Sequence, residues 1–183
     1  MTGVRRGASA PGFTGAYVRY GALVKKPAHL PICRVAYILY NEPVRRVNPA
    51  RWQAVVGRLG REHTIWMATM RRDGRPHLVP LWFVWFEAKI YVSTATHTQK
   101  YRNLVHNQMV SLSLPDAEKV VIIEGEAHVA GRETVDIVAE YFYDKYEWDF
   151  RYDESANWRL VEITPHKILA WGDGYDHEGT HLL

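Results

Sequence analysis

Between Thr64 and Thr94 three strand-like segments follow one another with only turns between them, which excludes most of the folds open to a chain of 183 residues. Thr64–Met70 (TIWMATM) is β-branched and aromatic. Arg71-Arg72-Asp73-Gly74-Arg75 then sets Asp-Gly between two apolar runs, a hairpin signal. The return segment, Pro76–Phe86, is apolar on both faces, with Val79, Leu81, Phe83 and Trp85 on one and Leu78, Trp82, Val84 and Phe86 on the other. A strand apolar on both sides needs cover on both sides. In a small barrel one face meets the core, and the other meets a helix or a second subunit. Lys89–Thr94 is the third strand. Parallel strands would each need a long crossover, so these pair antiparallel.

The rest of the chain extends the pattern. Pro49–Gly60 reads as a short helix, with Trp52, Val55, Val56 and Leu59 at i, i+3, i+4 and i+7, Pro49 at its start and Gly60 at its stop. His97–Asn107 is a second helix, exposing Lys100, Arg102 and His106 and turning Leu104 inward. Val110–Leu114 and Glu118–Val129 are strands. In the longer one Val121, Ile123, Gly125, Ala127 and Val129 alternate with Glu124, Glu126 and His128, and Gly125 marks a bend or bulge. Glu133–Tyr146 is a helix with Val135, Val138 and Phe142 on one stripe. Trp158–Thr164 and Lys167–Trp171 form a last strand broken at Pro165. The expectation is a mainly β (α+β) domain: a six-stranded antiparallel barrel with short flanking helices.

This domain occupies residues 48–183. Residues 1–47 carry eight basic side chains against one acid, Glu42, although the whole chain is only +3. Their arginines follow no amphipathic period, so the segment reads as a poorly packed basic extension or as sequence upstream of the true start. Arg34 interrupts the apolar run at 28–41, which leaves no secretory signal core. No apolar run approaches the ~18 residues of a membrane span. The lone cysteine, Cys33, excludes an intramolecular disulfide and a cysteine-based zinc site, so a cytoplasmic location is expected.

The most informative stretch is Tyr91–Leu104 (YVSTATHTQKYRNL). A strand ends in Ser93 and Thr94, a loop carries Thr96 and Thr98, and a helix opens with Lys100 and Arg102. Free helix N–H groups, hydroxyls and two cations in one small volume suit a phosphate monoester. The same residues also fit a capped helix with a solvated basic face, and spacing alone leaves both open.

The ordered set Met67-Ala68-Thr69, Asp73-Gly74-Arg75-Pro76, Val79-Pro80-Leu81-Trp82-Phe83, Tyr91-Val92-Ser93-Thr94, Thr98-x-Lys100-x-Arg102-Asn103-Leu104, Glu124-Gly125 and Ile163-Thr164-Pro165 carries a resemblance. Over residues 48–171 the chain resembles the split β-barrel proteins of the pyridoxamine 5'-phosphate oxidase-like superfamily, especially small members that use FMN or the deazaflavin coenzyme F420. The resemblance implies a homodimer with cofactor sites at its interface. It implies that Ser93 or Thr94, Thr98 and Lys100, with Arg102 beside them, hold the phosphate. The flat ring would lie along the first hairpin, at Met67, Ala68 and Thr69 and at Pro80, Leu81 and Trp82. Gln99 stands where the oxidase proper has an arginine, Asn107-Gln108 replaces an Asn-Pro or Asp-Pro, and no Arg/His substrate cluster is placed within Gly172–Leu183. Pyridoxal synthesis is therefore not the activity expected.

The expected activity is a flavin- or deazaflavin-dependent oxidoreductase transferring hydride to or from a small organic molecule. The alternative is a non-catalytic FMN- or tetrapyrrole-binding module for storage or sensing. A nucleic-acid binder using the basic extension is a third, less supported reading, and no membrane partner is expected. His77 could donate a proton, though a strand histidine is more often structural. Glu124 and Glu126 read as a solvent face. Asp173, Asp176, His177 and His181 read as a solvated tail rather than a metal site.

Overall fold

The computed structural model describes residues 48–172 and the backbone of residues 180–181. The expectations for residues 1–47 and for Asp173, Asp176 and His177 lie outside the described residues.

Helix α1 spans Pro49–Arg61, and the Asn48 side chain caps it by accepting from the N–H groups of Ala50 (3.0 Å) and Arg51 (3.4 Å). Gly60 lies inside this helix rather than ending it. Val55 and Leu59 are fully buried, and Trp52 meets Trp85 edge-on. The strands are β1 (Thr64–Met70), β2 (Pro76–Trp82), β3 (Val84–Phe86), β4 (Lys89–Ala95), β5 (Met109–Ser113), β6 (Lys119–Val129), β7 (Trp158–Gly172) and β8 (Thr180–His181). Helices α2 (Gln99–His106) and α3 (Arg132–Tyr146) interrupt them.

All strand pairs are antiparallel, in the order β2-β1-β5-β6-β7-β4-β3, with β8 beside β7. The two ends of this order, β2 and β3, are consecutive in the chain and separated only by Phe83. One run of chain therefore supplies both edge strands, crossing from the β1 side of the sheet to the β4 side at Phe83. The result is the expected antiparallel split barrel.

Two expected strand boundaries change. Pro76–Phe86 is not one strand. At Phe83 the backbone turns away from the ladder, and its N–H meets the Tyr146 hydroxyl (2.9 Å) while its C=O accepts from Lys145 Nζ (2.9 Å). The expected break at Pro165 is absent, and β7 runs through it. The register shifts between Glu124 and Gly125, so that Gly125 faces Pro165 while Glu124 faces Lys167. A proline cannot donate to a ladder but is tolerated at such a bulge. The glycine is required there, because a Cβ on Gly125 would lie 2.7 Å from the Thr164 carbonyl oxygen. Val129, at the end of β6, lies on the surface rather than completing the buried alternation.

The core divides in two. Inside the barrel lie Ile65, Met67, Phe83, Ile90, Val92, Leu112, Ile123, Ile163 and Ile168, joined by Val55 and Leu59 of α1 and Leu104 of α2. Under α3, outside the barrel, Val138, Ala139 and Phe142 pack with Val84, Tyr91, Phe150 and Leu160. Each large apolar side chain buried this way contributes ~1.5–3 kcal/mol. Helix α3 thus supplies the second cover predicted for the far part of the 76–86 run. On the hairpin's outer face Leu78 and Trp82 stay 58% and 48% exposed, with Trp66 beside them. Tyr146 and Trp148 meet Trp82 there, and the rest of that face stays largely exposed.

Candidate functional site

The site is assembled where β1, β2 and β4 meet helix α2. The Thr98 side chain caps α2 by accepting from the Tyr101 N–H (3.4 Å). Its hydroxyl also lies 2.8 Å from the Ala95 carbonyl oxygen and 3.1 Å from Thr94 Oγ1. Further along the helix, buried Asn103 donates to Thr69 Oγ1 (2.9 Å) and accepts from Gln99 Nε2 (2.7 Å). The Thr69 hydroxyl in turn reaches the His77 carbonyl oxygen at 3.4 Å. A chain of neutral hydrogen bonds therefore fixes the helix across one end of the hairpin. Gln99, at the position where the resemblance leads one to expect an arginine, braces Asn103.

On this scaffold the cations stand apart from acids. Lys100 is half-buried and has no carboxylate partner among the described residues, and desolvation lowers its pKa. His77, at the adjoining end of β2, has a buried Nδ1 without a hydrogen bond. Burial lowers the His77 pKa, and the charges of Arg71 and Lys100 lower it further. Arg159 is the cross-strand partner of Thr94. Paired residues share a face of the sheet, so it belongs to the same end of the barrel. Lys100, Arg71 and Arg159 make this end of the barrel, its mouth, basic, and it lies beside the capped start of α2, an arrangement that suits a phosphate dianion.

The expected site residues separate into groups. Thr69, Thr94, Thr98 and Lys100 come together at the mouth, with Arg102 exposed on α2. Ser93 lies on the opposite face of β4 from Thr94, paired with Leu160 of the α3 core, and its Oγ is buried without a hydrogen bond. Met67 is fully buried in the barrel and Leu81 packs against that core. Ala68, Pro80 and Trp82 face outward. Trp82 stacks on Tyr146 of α3, with ring centroids 4.7 Å apart and planes 4° from parallel. Glu124 pairs with Lys167 (3.4 Å) and Glu126 with His128 (3.1 Å), so the two do not act as a carboxylate pair. Sequence reasoning missed Arg71, Asn103, Tyr146 and Arg159. Arg71 carried a local signal as a cation flanking the hairpin turn, and Asn103 stood in the motif that carries the resemblance; Tyr146 and Arg159 had neither.

Residues 52–172 match the profile of the pyridoxamine 5'-phosphate oxidase family. The chain belongs to that family. Among solved structures, this oxidase-family chain is similar to an F420 reductase at 21% identity, over 61% of this chain and 93% of that one, with a TM-score of 0.52. It is similar to the conserved hypothetical protein Rv2991 from Mycobacterium tuberculosis at 24% identity, over 72% of this chain and 88% of the other, with a TM-score of 0.57. A heme-binding protein from Mycobacterium smegmatis aligns at 15% identity over 76% of this chain and 60% of its own, with a TM-score of 0.61. At these identities the likeness is one of fold. No curated protein matches the chain.

Proposed function

We propose that this oxidase-family chain binds FMN or coenzyme F420 and acts as a homodimeric, cytoplasmic oxidoreductase on a small organic substrate. The observation that carries the reading is Lys100: a half-buried cation without an acidic partner among the described residues, beside the capped start of α2. Burying an ammonium group is unfavourable unless a counter-charge answers it, and a phosphate dianion supplies one.

In this reading Thr94, Thr98 and Lys100 hold the phosphate, with Arg71 and Arg159 adding positive charge around it. His77 takes up a proton only as the dianion offsets the field of Arg71 and Lys100. The ring lies along the outer face of the β1–β2 hairpin, over Ala68, Pro80 and Trp82. When bound, a flavin or deazaflavin supplies the hydride donor or acceptor. The protein's part is to anchor the phosphate, hold the ring plane and exclude water from one of its faces. The exposed apolar face of Trp66, Leu78 and Trp82 suits a second copy of the chain, which would bury it and cover the ring. No helix among the described residues is long and apolar enough to cross a membrane.

The likeness to a heme-binding protein supports a second reading, a tetrapyrrole- or FMN-binding module without turnover. Absorbance and mass of the small molecule that co-purifies test both. A flavin or deazaflavin that is reduced and reoxidised with substrate supports the oxidoreductase. A bound porphyrin supports the module, and a protein that takes up none of these ligands overturns both.

A further inference from the structure

The last turn of α3 is built around the point where the 76–86 run changes partner strands. The Tyr146 hydroxyl accepts from the Phe83 N–H (2.9 Å) and lies 2.7 Å from the Phe83 carbonyl oxygen and 2.8 Å from that of His63. A hydroxyl has one proton, so it serves one of those carbonyls at a time. Lys145 Nζ, 2.9 Å from the Phe83 carbonyl and 4.2 Å over the Phe83 ring, keeps that oxygen satisfied when the proton turns to His63. The Tyr146 ring is thus pinned at its oxygen. Phe142 packs against it at 5.7 Å.

This pinned ring lies parallel to the Trp82 indole, and Trp148 closes on the indole edge at 5.9 Å and 71°. Tyr146 covers one face of Trp82. No second ring among the described residues stacks on it in parallel, and the side chain remains 48% exposed. A surface tryptophan ordinarily exchanges rotamers, whereas this one is held by a tyrosine that is itself hydrogen-bonded to the barrel closure.

We infer that Tyr146 is a positioning residue: it fixes the plane of Trp82 so that the free indole face is preorganised to pack against the flat ring of the cofactor. The inference rests on the reading above that sets this ring along the hairpin. Seven residues of β2 separate His77's end from Trp82's, roughly 20 Å of strand, and an extended ribityl phosphate with its fused rings is of the same order.

The test titrates FMN and coenzyme F420, each with its phosphate-free counterpart, into the full chain and into Tyr146→Leu, Tyr146→Phe, Trp82→Ala and the corresponding double variants. Inorganic phosphate serves as a competing ligand for the mouth. Tyr146→Leu is expected to weaken ring binding about tenfold, equally with and without the phosphate. It should leave phosphate competition unchanged and have no further effect once Trp82 is alanine. Tyr146→Phe keeps the stack and loses the pinning, with an expected loss of about two- to threefold that also vanishes in the Trp82→Ala background. If Tyr146→Leu does not fold, Tyr146→Phe decides alone. Losses that multiply independently with Trp82→Ala, or that weaken phosphate as much as the ring, overturn the positioning role while leaving the cofactor reading intact. A parent chain that binds none of the four ligands overturns that reading and this inference together.

Discussion

The barrel mouth at α2 and the closure at Phe83 both bring polar groups into an apolar fold, and they treat them oppositely. At the closure, the Phe83 N–H and C=O, the Tyr146 hydroxyl and the Lys145 ammonium answer one another within 3 Å. At the mouth, neutral groups are satisfied through Thr69, Asn103 and Gln99. Lys100 lacks an acid there, and His77 Nδ1 lacks any partner among the described residues. Buried polar groups in native proteins are nearly always paired. A region that pairs its polar groups internally is complete as it stands, whereas a half-buried cation without an acid is the feature on which the proposed anion site rests.

The largest effect belongs to the closure. Phe142 is fully buried and meets the rings of Tyr146, Trp148 and Phe150 at 5.7, 6.2 and 5.5 Å. Phe142→Ala is expected to cost about 3–5 kcal/mol of stability, read by urea denaturation, and a loss below ~1 kcal/mol would mean that α3 is not structurally required. At the mouth, Asn103→Ala leaves the buried Thr69 hydroxyl without its donor, an expected cost of about 1–3 kcal/mol. Unchanged denaturation would show that the network does not hold α2.

Titration separates the two regions more finely. Burial depresses Lys145 from 10.5 to about 8. Between those values the unfolded chain holds a proton that the folded one has released, so this group's contribution to stability rises with pH across the window. Lys145→Met should remove that rise from denaturation curves measured over the same range. His77 is also depressed from its ordinary 6.5. Its contribution is present above 6.5 and is lost as pH falls below it, and His77→Asn should flatten that acid limb. A phosphate dianion at the mouth would favour His77 in its charged form, so inorganic phosphate should reduce the acid loss in the parent and not in His77→Asn. Equal slopes with and without phosphate would place the anion elsewhere.

Local signals carried much of this architecture. Alternation and the Asp-Gly turn made β1, β2 and β4 legible, and Gly125 announced its bulge. The division at Phe83 was not legible, because the groups that draw its backbone out of the ladder are 62 and 63 residues away. Pro165 looked like a strand end because the glycine facing it lies forty residues earlier on another strand. The site divides in the same way. Thr98 as a cap and Lys100 on the first turn are local facts. Which of Ser93 and Thr94 faces the mouth depends on pairing with β7. The contact of Asn103 with Thr69 spans 34 residues. Long-range hydrogen bonds leave no periodic trace in a sequence.

The central claim, that the mouth supplies the counter-charge for a phosphate, is tested most directly at Lys100. Hydrogen bonds to charged groups contribute about 1.5–3 kcal/mol, so Lys100→Ala should weaken FMN or coenzyme F420 about tenfold to a hundredfold. The same substitution should leave riboflavin or the phosphate-free deazaflavin bound as in the parent. The melting temperature without ligand should barely move, because this lysine has no acidic partner to lose. Isothermal titration of both ligand types against both proteins reads all of this. Equal affinity of Lys100→Ala and the parent for the phosphorylated cofactor would contradict the account and reduce the mouth to a capped helix with a solvated lysine.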